Sequence, residues 1–331
     1  MNMIDKTDSK ILIALNKDGR FSYAKLAKQL GIKATTISKR VEEMKNEDIL
    51  AIRAVPNPVK LGYKAMAAIA LDVEIPKLSQ VTEKLVENPN ISYLSTTFGK
   101  FDVILFAEYR DYETLYKLVR EEIPSIPGIK TIETFIISEM KKRYQGPPDS
   151  KTISNKPYLV DEIDEEIIQE LKIDGRASFT EIANKIGISS ATVSRRVANL
   201  VKKGIIEITV VANPTKLGHH VVAFLGLQVM PGKINDVFSK LADYPHFPLL
   251  MTLMNGYNIL AVASVPDLDE LLKFITDQIA LIEGVSNIET LIRAEFKKRT
   301  YLGFDLEEMI SRYISNNRES IPSKKYVSVK A

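Results

Sequence analysis

Two short runs of side chains are equipped to meet another molecule. Ser38-Lys39-Arg40 follows Lys33, Thr35 and Thr36, and Ser194-Arg195-Arg196 follows Ser190 and Thr192. Small hydroxylated residues at a helix start let that end enter a DNA major groove, and long basic residues behind them reach phosphates or guanine edges. The plain alternative is a solvated charged face on a three-helix module. A second set is Gly99 with Asp102, and Gly256 with Asn258. A glycine turn lets backbone N–H groups approach a ligand carboxylate, and Asp102 can pair with an ammonium; the alternative is a tight hairpin braced by its acid. Catalysis has little to draw on. There is no cysteine, which excludes disulfides, thiolate nucleophiles and Cys-ligated metals. The three histidines are His219, His220 and His246, so a His-centred triad or an all-His metal site has little to draw on. No metal or cofactor is expected, and His219-His220, at a strand start, read as ordinary surface or edge residues.

The elements that position these residues are written twice. Asp18-Gly19-Arg20 recurs as Asp174-Gly175-Arg176, Asn57-Pro58 as Asn213-Pro214, Leu61-Gly62 as Leu217-Gly218, and Lys141-Lys142-Arg143 as Lys297-Lys298-Arg299, each pair 156 positions apart. Over residues 18–62 that offset gives 19 identities in 45 positions. So long a period means a duplicated domain pair rather than a solenoid. The chain of 331 residues divides into 1–62 and 63–145, a Pro-rich polar linker at 146–157, then 158–218 and 219–302. A C-terminal amphipathic helix and basic tail follow at 303–331.

Hydrophobic residues at 45% and charged residues at 26% fit a soluble globular protein. No apolar run reaches the roughly 18 residues of a membrane span, and residues 1–6 lack a signal-peptide pattern. A cytoplasmic protein without a membrane partner is expected. The net charge of +3 is too mild to imply nucleic acid, so charge has to be read locally. Residues 33–47 hold four basic and three acidic side chains, whereas 189–203 hold four basic and none acidic. The second run is expected to be the stronger phosphate binder. Over whole N-terminal regions the order reverses, with +5 for 1–62 and −1 for 157–218.

Each unit opens with three short helices. In the first, Ile4, Ile11, Leu12 and Leu15 recur at helical spacing and stop at Asp18-Gly19. Ser22 can cap a second helix that turns at Gly31, and a third runs over about 34–46. A helix, a glycine turn and a helix opening on small hydroxylated residues is the helix-turn-helix pattern. The second half of the unit reads βαββαβ: strands at 65–73, 91–98, 101–109 and 129–137, with helices after the first and third. The second copy follows with strands at 221–229, 247–254, 257–265 and 285–294. The fold class expected is α+β: two copies of a winged-type helix-turn-helix, each followed by a ferredoxin-like βαββαβ domain.

Together these motifs resemble the Lrp/AsnC (feast/famine) family of transcription regulators. The resemblance is carried by Asp8 with Asp18-Gly19-Arg20, Leu26-Ala27 before Gly31-Ile32, Ser38-Lys39-Arg40-Val41, the Ile49-Leu50 step, Asn57-Pro58 and Leu61-Gly62. Gly99-Lys100-Phe101-Asp102 resembles the family's Gly-x-Tyr-Asp turn, and Pro127-Gly128-Ile129 its Pro-Gly-Val. It implies double-stranded DNA as partner, a small-molecule effector such as an amino acid, and C-terminal domains that dimerise. Since the usual chain holds one unit, this one resembles a fused pseudo-dimer, and a homo-oligomer of such chains is expected. Lys33 stands where a Ser or Asn cap is common, which weakens the start of the first recognition helix. Asn258 stands where the family has its acid. Sirohaem decarboxylases share the two-domain plan, so an enzyme of that kind is the rival reading; their Arg-Arg-x-Gly-Ala stretch is absent, residues 52–56 being Ile52-Arg53-Ala54-Val55-Pro56.

Overall fold

The computed structural model describes residues 4–141, 158–299 and 309–310. The linker at 146–157, and the C-terminal segment at 303–331 apart from Met309 and Ile310, lie outside the described residues. Those two are helical and buried.

Three helices open the first copy: α1 (Lys6–Lys17), α2 (Tyr23–Leu30) and α3 (Ala34–Asn46). Asp5 starts α1 with a capping box shared with Asp8, and Ser22 caps α2. Gly31 ends α2 at φ 68, a left-handed value that favours glycine. Ile11, Leu12, Leu15, Ile37 and Val41 are fully buried between the helices. Strand β1 (Leu50–Pro56) follows. The second copy repeats the plan as α6 (Glu162–Ile173), α7 (Phe179–Ile186), α8 (Ser190–Lys202) and β6 (Ile206–Ala212).

Strands β1 and β6 pair antiparallel into a two-stranded ribbon. Arg53 lies opposite Thr209, its own counterpart in the repeat, so a pseudo-twofold axis runs through that pair. The packing is crossed: α6 lies on β1 and α1 on β6. The repeated Asp-Gly-Arg motif does more than stop a helix. Gly19 N–H donates to the Ile208 carbonyl at 2.7 Å, and Gly175 N–H to Ile52 at 2.8 Å. A Cβ on Gly19 would lie 2.8 Å from that carbonyl oxygen, so only glycine lets the turn dock. Arg20 Nε then donates to Gly175 O at 2.8 Å and its guanidinium lies 4.2 Å over the Phe179 ring. Arg176 returns the contact, Nη1 donating to Gly19 O at 2.6 Å with its guanidinium 4.1 Å over Tyr23. The two helix-turn-helix units are latched to each other twice over.

The C-terminal halves supply β2 (Ala65–Val73), α4 (Leu78–Val86), β3 (Ile91–Phe98), β4 (Val103–Tyr109), α5 (Tyr112–Lys117) and β5 (Ile129–Lys141). Their repeats are β7 (Val221–Val229), α9 (Ile234–Ala242), β8 (Leu249–Leu253), β9 (Ile259–Val265), α10 (Leu268–Phe274) and β10 (Val285–Arg299). Each copy has the ferredoxin-like order β3-β4-β2-β5 or its equivalent, and the two sheets join edge to edge in one closed barrel, β10-β3-β4-β2-β5-β8-β9-β7. The last strands end at 141 and 299, not 137 and 294, because their extensions cross into the other copy: β5 pairs β8 from Ile137 to Lys141, and β10 pairs β3 from Ile292 to Arg299. Closure leaves the barrel without a free sheet edge. Helices α4 and α5 cover one sheet and α9 and α10 the other, each over its own apolar cluster. No helix among the described residues is long and apolar enough to cross a membrane.

Candidate nucleic-acid interface

Helices α3 and α8 carry the basic runs. Ser189 caps α8, its hydroxyl accepting from Thr192 N–H at 3.1 Å. Lys33, in the matching place before α3, makes no side-chain cap bond, as its type implied. Lys33, Thr35, Ser38 and Lys39 are exposed on the first unit, and Ser190, Ser194 and Arg195 on the second; Thr36 and Thr192 are half-buried. The foremost basic residues differ in surroundings. Lys39 Nζ lies 3.7 Å from Glu43, one turn on. Arg195 has no ion pair among the described residues, and no acid lies within 189–203.

The second arginine of each run is held from behind. Arg40 Nη1 donates to Asp5 at 2.7 Å and Asp8 at 2.8 Å. Arg196 Nη1 donates to Asp161 and Asp164, both at 2.8 Å. The Asp164 backbone amide, and after it Arg196, holds the Asp161 carboxyl below the usual carboxylate range. These arginines staple the third helix of each unit to the start of the first. That leaves Lys39 and Arg195 as the side chains of the two runs with most freedom to reach a phosphate or a base. The staple was missed in the sequence, although Asp5, Asp8 and Arg40 recur together as Asp161, Asp164 and Arg196 at the repeat offset.

The hairpin residues lie at one end of the barrel. Asp102 Oδ2 accepts the Val73 N–H at 2.8 Å, and Asn258 Oδ1 accepts the equivalent Val229 N–H at 2.7 Å. Both side chains brace their hairpin, and an amide does this as well as a carboxylate. Gly99, at φ 134, and Gly256, at φ 72, face the opposite copy. Lys100, between Gly99 and Asp102, reaches Glu133 at 3.0 Å. Between the tips a cavity of about 20 Å³ opens among Phe101, Phe135, Tyr257 and Glu289, room for about one water. His219, expected at the surface or an edge, is instead buried, its Nδ1 3.0 Å from the Ser264 carbonyl. His220 is exposed.

Comparison with known proteins follows the same division. Residues 4–45 match the AsnC-type helix-turn-helix domain and 160–207 a winged helix-turn-helix DNA-binding domain. Residues 63–146 match a C-terminal dimeric alpha+beta barrel domain, and 222–302 the Lrp/AsnC ligand binding domain. An HTH-type transcriptional regulator of Pyrococcus horikoshii is 37% identical over 143 residues, 43% of this chain and 90% of the relative. The regulator LrpA of the same organism is 37% identical over 131 residues, 39% of this chain and 93% of its own length. Among solved structures, the siroheme decarboxylase NirDL superposes with a TM-score of 0.64 over 95% of this chain and 100% of its own, at 18% identity; at that identity the likeness is one of fold.

Proposed function

Because the chain belongs to the Lrp/AsnC family of HTH-type transcriptional regulators, both of its domain types being present twice, we infer that it is a sequence-specific DNA-binding regulator modulated by a small metabolite. The observation that carries this reading is the latched pair of helix-turn-helix units, which fixes two exposed basic helix starts on one side each of a single pseudo-twofold axis. The DNA contacts belong to Lys33, Thr35, Thr36, Ser38 and Lys39 on one unit and to Ser190, Thr192, Ser194 and Arg195 on the other, with Arg40 and Arg196 holding the helices in place behind them. Two half-sites about one helical turn apart, or a multiple of it, suit such a pair. Titration of promoter fragments by mobility shift at several salt concentrations tests the reading: a specific complex whose affinity falls steeply with salt supports it, and sequence-independent weak binding ends it.

For the effector, the Gly99–Asp102 hairpin is the better site for a zwitterion such as an amino acid, since Asn258 cannot neutralise an ammonium. Asp102→Asn isolates the charge, because Asn258 already shows that an amide keeps the brace. Loss of amino-acid binding in calorimetry, with thermal stability unchanged, is the expected result. The cytoplasm is the expected location, and association of pseudo-dimeric chains is supported by exposed apolar pairs at matching places on the two copies, Tyr112 with Tyr116 and Leu268 with Leu272. The enzyme reading has fold likeness behind it; mixing the protein with sirohaem and recording the Soret band and carbon dioxide release tests it.

A further inference from the structure

The two halves of the barrel are alike in backbone and unlike in filling. On one side of the axis Tyr93 and Phe106 of the first copy meet Phe224 and Phe296 of the second, with ring centroids 5.8 Å (Tyr93–Phe224), 6.3 Å (Phe106–Phe224) and 5.6 Å (Tyr93–Phe296) apart. At the equivalent places on the other side stand Leu249, Val262, Ala68 and Met140. Those four places carry rings on one side and none on the other, where the ring contact is instead Phe135 with Tyr257 at 5.4 Å. The junction strands repeat the pattern: Phe296 pairs with Ser95, whereas its counterpart Met140 pairs with Met251.

The hairpin tips have diverged in step. A Cβ on Gly99 would lie 2.8 Å from Leu291 Cδ2 and 3.0 Å from Thr290 O, both in the second copy. A Cβ on Gly256 would lie 2.6 Å from the Phe135 ring of the first copy. Phe135 and Leu291 are counterparts, yet the glycines are not: Gly99 corresponds to Asn255, and Gly256 to Lys100. Asn255 uses its side chain across the junction, accepting from Ile136 N–H at 2.9 Å and donating to Thr134 O at 2.7 Å. The one-place shift of the glycine therefore follows the side chain that the tip must pass.

We propose that these differences make each half a specific partner for the other and a poor partner for itself, so that the chain closes its barrel in cis and rejects a second copy of either half. A first half paired with itself would bring Lys100 to the place that Gly256 holds under Phe135, leave Tyr93 and Phe106 facing Ala68 and Met140, and set Arg53 against Arg53 on the axis. Like charges directly opposite across a strand pair destabilise it. A second half paired with itself would bring Asn255 under Leu291, where a Cβ would lie 2.8 Å from Leu291 Cδ2 and 3.0 Å from Thr290 O, and would crowd Phe296 against Met251. Rejection built from misfit as well as fit is how paired interfaces acquire specificity. The inference concerns pairing alone and stands whichever DNA is read.

The test starts from the full chain with a protease site placed between residues 146 and 157. After cleavage, unfolding and refolding, native mass spectrometry counts the pairs. The mixed pair is expected to exceed each self-pair at least tenfold; a statistical one-to-two-to-one distribution overturns the proposal. Should the cut halves not refold, the uncut chain decides. Giving the second tip the first tip's residues, N255G with G256K, is expected to lower the melting temperature by about 5 °C or more, while Met230→Lys, at an exposed site away from the junction, leaves it unchanged. A tip exchange without effect on melting overturns the proposal as surely as statistical pairing does.

Discussion

Helix α3 begins at a lysine that caps nothing and has glutamates along its second half; α8 begins at a serine that caps it and carries no acid. Behind these two helices the copies are nearly interchangeable: the same acid–arginine staple, the same glycine docked on the same strand carbonyl, the same crossed arginine. The difference teaches where duplication within one chain relaxes constraint. In an assembly of identical chains every change appears twice, on both sides of the axis. Here the contacts that latch the two helix-turn-helix units kept their reciprocity, while the outward faces and the barrel junction drifted separately. A region that has stayed symmetric is therefore read as scaffold, and a region that has not as a candidate for altered contact.

The comparison breaks first at the latch. Arg20→Ala removes two bonds to main-chain carbonyls and a guanidinium–ring contact, and should lower stability by about 3 kcal/mol. Arg176→Ala should do the same within experimental error. Thermal or urea unfolding of the two variants checks this, and a clear inequality would show that the latch too has lost its symmetry.

A smaller effect is expected at the ribbon, where Glu207 replaces the small residue of the first copy, Ala51. Glu207 lies opposite Val55, itself buried, and burial pushes its carboxyl up to about 7. Since the folded chain then holds this proton more tightly than the unfolded chain, the folded state binds more protons between about pH 4.5 and 7. Stability attributable to Glu207 is lost as pH rises through that window and is flat above it. Glu207→Gln should thus be neutral near pH 4 and stabilising near pH 8, by at most about 3 kcal/mol. Unfolding curves at the two pH values read it directly, and a variant equally stable at both would contradict the burial argument.

At the recognition helices, Arg195→Ala should weaken specific DNA binding at least tenfold, one good base contact being worth ~1–3 kcal/mol. Lys39→Ala should weaken it less, since Glu43 already draws on that charge. Equal losses in a mobility-shift titration would remove the asymmetry argued for the outward faces. The smallest effect belongs to the caps: Ser189→Ala should cost about 1 kcal/mol, and Lys33→Ser should return a similar amount to α3, both measurable by thermal unfolding.

Much of this was legible in the sequence. Helical spacing of Ile11, Leu12 and Leu15, and the glycine turns at Gly31 and Gly187, specify local structure with local signals. The βαββαβ order is likewise written in runs that alternate or stay apolar. What escaped depends on partners far away in the chain. Strands β1 and β6 are seven residues each, and each finds its hydrogen bonds only in the other copy. The ends of β5 and β10 carry Glu139, Lys141, Glu295 and Lys297, whose charge reads as the end of a strand until the opposite sheet supplies the pairing. The latch was hidden because Asp-Gly-Arg already had a sufficient local meaning as a helix stop. At the outer end of the barrel, the braces from Asp102 and Asn258 are a geometric fact that residue types could offer only as one of two alternatives.

The β1–β6 ribbon also sets how the molecule answers to dilution. Where two separate chains must meet before either can grip a paired site, the competent species rises with the square of concentration and vanishes when the protein is scarce. Both strands of this ribbon belong to one polypeptide, so the local concentration of one half around the other is fixed by the tether and does not change with the amount present. Occupancy of a paired target should then follow a simple hyperbola down to the lowest protein levels, with no threshold below which the reader comes apart.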